Sequence, residues 1–332
     1  MTKPGPVVLV GLPRSGSTLL TKIINESPDH FALNDLYYLQ LIDSQDSWNG
    51  FKSVEQAREA KELVRNMVRH RSAVHSPKGI ANSAEMTPDQ LDTALAAIDA
   101  QWPGEGDTGI TGDWGDIVEA VTMAGAAAVG KTRWGWNTPQ DYHHVDRLVA
   151  KWPDVRVIFL LRDPRMTLRS YKYYPKRPAA DRYHPIAQSM AWRNAANAWR
   201  KLSAKYPDNM FLLTYEDLVS DTRTQVERIN AFLGSRIDEG LDLANLGSNS
   251  SYAARKEQPE ERALSPMELW LSDRVLYSQR AALGFDEPRK GVSFSGLVPL
   301  LRTSFRFAKY YGGEALTNPE TRKRINRLLR PR

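Results

Sequence analysis

Residues 7–20 read VVLVGLPRSGSTLL, and this stretch decides the fold. Four consecutive apolar residues from Val7, closed by Gly11, predict a buried parallel strand over 7–11. Beyond it, Leu19, Leu20, Ile23 and Ile24 recur on one helical face, which predicts a helix over 17–27 ended by Pro28. Between the two, Gly11-Leu12-Pro13-Arg14-Ser15-Gly16-Ser17-Thr18 has the spacing of a phosphate-cradling loop: glycine, four residues, glycine, then a hydroxyl pair. Strand, glycine-rich turn and helix N-terminus in register are what such a loop requires. The backbone N–H groups of 14–18 should then point inward, where the helix dipole favours an anion. Ser15, Ser17 and Thr18 add hydroxyl donors. A nucleoside-triphosphate loop carries lysine directly after the second glycine. Here that place is Ser17, and the positive charge sits inside the loop instead, as the forked guanidinium of Arg14.

Working outward, "VRVIFLLRDP" predicts a second strand over 155–161, and "MFLLTYEDL" a third over 210–214. Helical periodicity predicts helices over 53–71, 87–100, 113–129, 140–151, from about Pro164, over 185–205, 221–233 and 266–283. Thr87-Pro88 is a strong helix start, with threonine as cap and proline at the first helical position. Strands alternating with helices predict an α/β fold with a mostly parallel sheet. Residues 1–290 read as one domain with a helical insertion at about 34–130 that carries one wall of a site. Residues 291–332 read as a basic C-terminal extension.

A chain of 332 residues, 41% hydrophobic and 25% charged, has the composition of an ordinary globular protein with a sizeable core. It contains no Cys, which excludes disulfides, thiolate metal sites and a cysteine nucleophile. MTKPGP runs directly into the first strand, so no signal peptide is expected, and no run of 18 apolar residues predicts a membrane span. The expected setting is the cytoplasm. The net charge of +6 is uneven: residues 302–332 hold nine Lys/Arg and two Glu, a local +7, which leaves −1 for residues 1–301. The basic segment "FSGLVPLLRTSFRFAKYYGG", from Phe294, reads in two ways. It is either a helix packed on the domain with a solvated basic end, or a peripheral contact with an anionic membrane surface or an acidic partner. No nucleic-acid-reading motif accompanies the charge, so nucleic acid is not an expected partner.

Two more segments carry chemistry. In "RDPRMTLRS", residues 162–170, Arg162 stands at the C-terminal end of the second strand, the edge where open α/β sheets bind ligands. Ser170 lies two turns into the following helix and can share an anion with it. Third comes "LLTYEDLVSDTRTQVERINAFLG", residues 212–234. Together the three resemble the sulfotransferase family, which uses 3′-phosphoadenosine-5′-phosphosulfate (PAPS) as donor and releases 3′,5′-adenosine bisphosphate (PAP). The loop and the "YEDL…FLG" segment look most like the bacterial and tyrosylprotein branches, and the resemblance covers residues 7 to about 283. It implies a P-loop-like three-layer fold. It further implies that Pro13, Arg14, Ser15, Gly16, Ser17 and Thr18 grip the 5′-phosphosulfate, Arg162 and Ser170 the 3′-phosphate, and that Tyr215 approaches the donor. Ser250, Ser251, Arg255 and Lys256 lie where the family closes a loop over the nucleotide.

The implied reaction moves a sulfonate to a hydroxyl acceptor by in-line displacement, with Arg14 stabilising developing charge and with no metal. A hydroxyl acceptor needs a general base. By the resemblance that place is Asp35, which reads equally as the cap of a helix over 36–43. The competitors are His143 and His144, of which His144 is the more attractive: the ordinary pKa of histidine suits a base at neutral pH, and the alternative reading of His144 is a helix-surface residue. "RWGWNTP", residues 133–139, resembles a family stretch that usually reads Glu-Lys-Thr-Pro, so Asn137 stands where a lysine is expected. Trp134 and Trp136 read either as walls of an acceptor or adenine pocket or as core. Two other functions stay open at this point: an ATP-dependent kinase of the same fold, and a catalytically decayed nucleotide-binding module.

Overall fold

A computed structural model describes residues 5–34, 50–73, 86–101, 113–173, 183–246, 263–285, 288, 290–318, 321–322 and 325–326. Asp35 and the segment 247–262 with Ser250, Ser251, Arg255 and Lys256 lie outside the described residues. In chain order β1 (Val7–Gly11) leads through the glycine-rich loop into α1 (Ser17–Asn25) and β2 (His30–Asn34). Helices α2 (Val54–Ala73), α3 (Pro88–Gln101) and α4 (Trp114–Ala128) precede β3 (Arg133–Asn137). A 3-10 turn (Pro139–His144) then opens α5 (Val145–Lys151), followed by β4 (Arg156–Leu161), α6 (Pro164–Lys172) and α7 (Pro185–Lys205). After β5 (Met210–Thr214) come α8 (Tyr215–Ser220), α9 (Thr222–Leu233), α10 (Pro266–Ala281) and α11 (Leu297–Thr317).

The five strands form one sheet in the order β2-β3-β1-β4-β5, with every pairing parallel. This is the α/β architecture the sequence predicts. Strand alternation splits the apolar side chains between two faces. Val7, Leu9, Ala32, Ile158, Leu160 and Leu213 meet α1 and α9 through Leu20, Ile23, Ile24, Val226 and Ile229. Val8, Val10, Phe31, Leu33, Val157 and Phe159 meet α4, α5 and α7 through Ile117, Val118, Leu148 and Trp192. The result is a helix–sheet–helix sandwich. Each fully buried aliphatic or Phe side chain contributes about 1.5–3 kcal/mol relative to exposure.

Local physics explains where the sequence reading and the structure part. The reading finds three strands, and the structure adds β2 and β3. "HFALN" has only three apolar residues between polar ends, and "RWGWN" carries a glycine, a poor strand former alone. Both are held as strands by non-local pairing, with Asn34 opposite Asn137 and Val7 opposite Gly135. The helical segment expected from about 34 therefore starts after β2, and Asn34 belongs to the sheet. Helix α1 stops at Asn25 rather than 27. The Asn25 amide donates to Ala32 O (3.0 Å) and accepts from Ala32 N (2.7 Å), competing with helix continuation and pinning the helix end to β2. The helix expected over 140–151 begins as the 3-10 turn. On α7, Ile186 is 36% exposed, while Trp192 is fully buried.

Trp134 and Trp136 belong to the core. Their rings lie 6.1 Å apart, and Trp152 meets them edge-on at 5.5 and 5.9 Å. Trp136 Nε1 donates to Asp141 Oδ2 at 3.0 Å, so its polar edge is satisfied inside the protein. The pocket-wall alternative is not what the fold uses.

Candidate functional site

Strand β1 sends the chain one way, towards β2 and β3, while β4 sends it the other, towards β5. Their carboxyl ends flank the crevice where open α/β sheets place ligands. Register aligns Gly11 with Leu160, so the glycine-rich loop and Arg162 leave the sheet side by side. The loop is wound tightly: Ser15 N donates to Leu12 O at 3.2 Å. Arg14 holds φ 74°, the one positive φ at a non-glycine position among the described residues. That left-handed conformation costs an L-residue with a side chain about 1–2 kcal/mol and is a feature of ligand-gripping loops. Gly16 caps α1 at φ 98°, ψ 15°. A Cβ there would sit 2.8 Å from Tyr215 Cε2 and closer still to Cδ2, so glycine is required by both backbone and neighbour.

No side chain caps α1, so its first-turn N–H groups have no capping acceptor. Ser15 is fully buried, and its hydroxyl has no hydrogen-bond partner. Pro13, Arg14, Ser17 and Thr18 are partly exposed around this positive helix end. The loop thus offers donors in excess of acceptors, which suits an anion.

Residues far apart in the chain join here. Arg14 Nε donates to Ser170 Oγ at 3.1 Å, across a separation of 156 residues. Arg162 Nη1 donates to Arg14 O at 3.3 Å. The Arg162 guanidinium lies 4.4 Å from the centre of the Tyr215 ring, a cation–π contact, and the same ring covers Gly16. Trp192 Nε1 donates to Arg162 O at 2.9 Å, so α7 fixes the end of β4. Ser170 is set by α6, whose start is well determined: Asp163 accepts from Met166 N at 3.0 Å and Pro164 occupies the first turn. Glu216, which the sequence reading does not single out, accepts from Asp163 N (3.2 Å) and lies 3.9 Å from Arg162 Nε. Burial pushes its carboxyl above the usual carboxylate range, against the pull of the Asp163 N–H and the Arg162 charge.

Helix α6 is also held from behind by an ionic cluster. Asp273 on α10 accepts from Arg165 Nη2 (2.8 Å), Arg280 Nη1 (3.1 Å) and Lys290 N (2.8 Å), and Asp273, Arg165 and Arg280 are buried. At the other end of α6, Lys172 Nζ donates to Glu268 Oε2 at 2.7 Å.

The remaining expected residues behave differently. His144 ends the 3-10 turn and is 5% exposed, so it is a buried histidine and not a helix-surface one. Asn137 is fully buried at the end of β3, where its amide donates to Asn34 Oδ1. Asn34 Nδ2 and Asn137 Oδ1 have no hydrogen-bond partner, which leaves one donor and one acceptor at the strand ends. Sequence reasoning reaches Asn137 by its motif but misses Asn34, because the signal lies in the unread strand β2.

The fold is that of P-loop-like α/β proteins with a basic crevice at the loop. The sulfotransferase family model matches residues 6–239, most of the chain, and the chain belongs to that family. Over 113 residues the chain is 33% identical to 3-beta-hydroxysteroid sulfotransferase of Cavia porcellus, covering 31% of this chain and 39% of that protein. Over 95 residues it is 30% identical to cytosolic sulfotransferase 15 of Arabidopsis thaliana, covering 24% of this chain and 26% of that one. The chain thus spans well under half the length of these curated relatives. The sulfotransferase domain of the Synechococcus PCC 7002 olefin synthase shares the fold with a TM-score of 0.52, at 18% identity over 87% of this chain and 98% of that one.

Proposed function

We propose that the protein transfers a sulfonate group from PAPS to a hydroxyl of a carbohydrate, lipid or small-molecule acceptor, releasing PAP. The observation that carries this reading is the Arg14–Ser170–Arg162 junction, two guanidinium groups and a hydroxyl gathered beside an uncapped helix start. Loop residues 13–18 hold the 5′-phosphosulfate through backbone N–H groups and the Ser15, Ser17 and Thr18 hydroxyls. Arg162 and Ser170 hold the 3′-phosphate, and Tyr215 braces both sides by packing on Gly16 and Arg162. The orphan Ser15 hydroxyl and the uncapped α1 fit an anionic donor, because both are donors that lack an acceptor within the fold.

The donor supplies a sulfuryl group whose charge is spread over its oxygens, so the protein's part is alignment and charge stabilisation. Arg14 lies between both anion sites and offsets the charge at the transferring group. The lysine expected at Asn137 is missing, so Arg14 carries more of that task. His144 or Asp35 takes the acceptor proton in in-line attack. The helices between β2 and β3 form the acceptor wall, as an insertion in a single 1–290 domain.

Thermal denaturation with PAP tests the reading, since a ligand that binds only the folded state raises its melting temperature. PAP at a hundredfold over its Kd raises it without Mg²⁺, and Arg162→Ala removes the rise. A rise with Mg²⁺-ATP and none with PAP overturns the reading in favour of a kinase. A rise with PAP but no release of PAP from PAPS in the presence of any hydroxyl acceptor marks a binding module.

A further inference from the structure

Helix α11 is a surface helix with two unlike sides. Ser304 Oγ lies 3.0 Å from His184 Nε2, and the Phe307 ring packs 5.3 Å from that histidine and 4.5 Å from Tyr311. Leu300, Ser304, Phe307 and Tyr311 therefore face the domain. At about 100° per residue, the side turned away divides into two stripes. Val298 (59% exposed), Leu301 (59%), Phe305 (71%) and Leu316 (82%) fall within about 60° of one another. Arg302, Lys309 and Arg306, all exposed, occupy the next 60° or so. None of the helix's residues is buried. Just before it, Val292 and Phe294 are 63% and 75% exposed.

The charge on this side has one sign. No Asp or Glu occurs from Lys290 to Gly313, and Glu314 accepts from Thr321 Oγ1 at 3.4 Å. In the sequence beyond the helix, residues 318–332 hold Arg322, Lys323, Arg324, Arg327, Arg330 and Arg332 and a single acid, Glu320. Large apolar side chains rarely stand this exposed in a row on a monomer. A second copy of the chain is a poor cover: a two-fold contact across this stripe brings two copies of Arg302, Arg306 and Lys309 to one interface, with no carboxylate between Lys290 and Gly313 to pair them. An anionic bilayer matches both stripes at once. Its acyl boundary takes Val298, Leu301, Phe305 and Leu316, while its headgroups take the arginines and lysine, whose stems lie along the interface. No described helix is long and apolar enough to cross a membrane, and lying on one needs no such helix.

We propose that α11 docks the protein in the plane of an anionic lipid surface. The test is co-sedimentation of the full chain with vesicles of phosphatidylcholine alone or with 30% phosphatidylserine. Each basic residue near such a surface is worth about fivefold in affinity. The expected result is binding to the anionic vesicles that weakens with salt and falls roughly a hundredfold in the R302Q/R306Q/K309Q variant. Leu301→Ser with Phe305→Ser also weakens it, by removing the apolar stripe. These positions are exposed, so the variants fold, and PAP still raises their melting temperatures if the proposed function holds. The docking is overturned by equal binding to neutral and anionic vesicles, by indifference to either variant, or by no binding at all. A dimer in solution that Leu301→Ser/Phe305→Ser dissolves, without lipid binding, assigns the face to a second copy and overturns it too.

Discussion

Replacing Arg14 by glycine and, separately, by alanine separates the strain in the loop from its charge. Arg14 sits at φ 74°, which costs any residue with a Cβ about 1–2 kcal/mol and costs glycine nothing. Glycine makes the unfolded chain more flexible and returns about 0.5–1 kcal/mol of that gain. Both variants lose the hydrogen bond from Arg14 Nε to Ser170 Oγ, worth about 1 kcal/mol at a partly exposed site. The alanine variant therefore falls about 1 kcal/mol below the parent, while the glycine variant stands about 0.5–1 kcal/mol above alanine. This reverses the usual order of the two residues. In urea unfolding at equal slopes of about 3 kcal/mol/M, the glycine midpoint lies roughly 0.2–0.3 M above the alanine midpoint. Both variants lose most of the stabilisation by PAP, since both lack the charge. An alanine variant as stable as the glycine one refutes the reasoning, because Arg14 then pays no conformational cost in the native loop.

Three further outcomes are expected. Asp273→Ala leaves the buried Arg165 and Arg280 without their shared carboxylate and costs about 3–5 kcal/mol in denaturant unfolding, where a surface ion pair would cost under 1. His30, buried at the start of β2 beside Arg133, has its pKa lowered to about 4, chiefly by burial. The folded state thus binds fewer protons than the unfolded one between about pH 6.5 and 4, and this stability, present above pH 6.5, is lost as pH falls through that window. His30→Gln flattens that part of the stability–pH profile measured by urea unfolding. Asn137→Ala leaves Asn34 with no partner and costs about 1–3 kcal/mol, whereas removing both amides together costs less than the sum of the single changes by about 1 kcal/mol in a double-mutant cycle.

Much of this protein is legible locally. The loop shows itself in sequence because strand, glycine spacing and helix face occur within the eighteen residues from Val7 to Ile24, and short-range geometry determines them. Arg162, at the end of a continuous apolar strand, and Asp163-Pro164, a cap and a helix start, are visible for the same reason. What local pattern could not show is anything settled by non-local pairing. Strand β3 is a strand because β1 offers it an edge, and β2 because β3 in turn offers one, so the Asn34–Asn137 pair forms only once the sheet is assembled. Trp134 and Trp136 carry no label for pocket or core until Trp152 closes over them. The same holds for Arg14: its sequence position puts a charge in the loop, but the reach to Ser170, 156 residues away, exists only once α6 is placed beside that loop.

The sequence by itself thus determined the α/β class, the glycine-rich strand–loop–helix unit and the family, because each rests on short segments whose backbone geometry is encoded within a turn or two. Only the tertiary structure decided the strand order, the burial of His144 and Asn137, the role of Glu216 beside Arg162, and which side of α11 stays exposed. Those depend on which distant surfaces meet, and the apolar area each buries is a property of the assembled fold rather than of any one stretch.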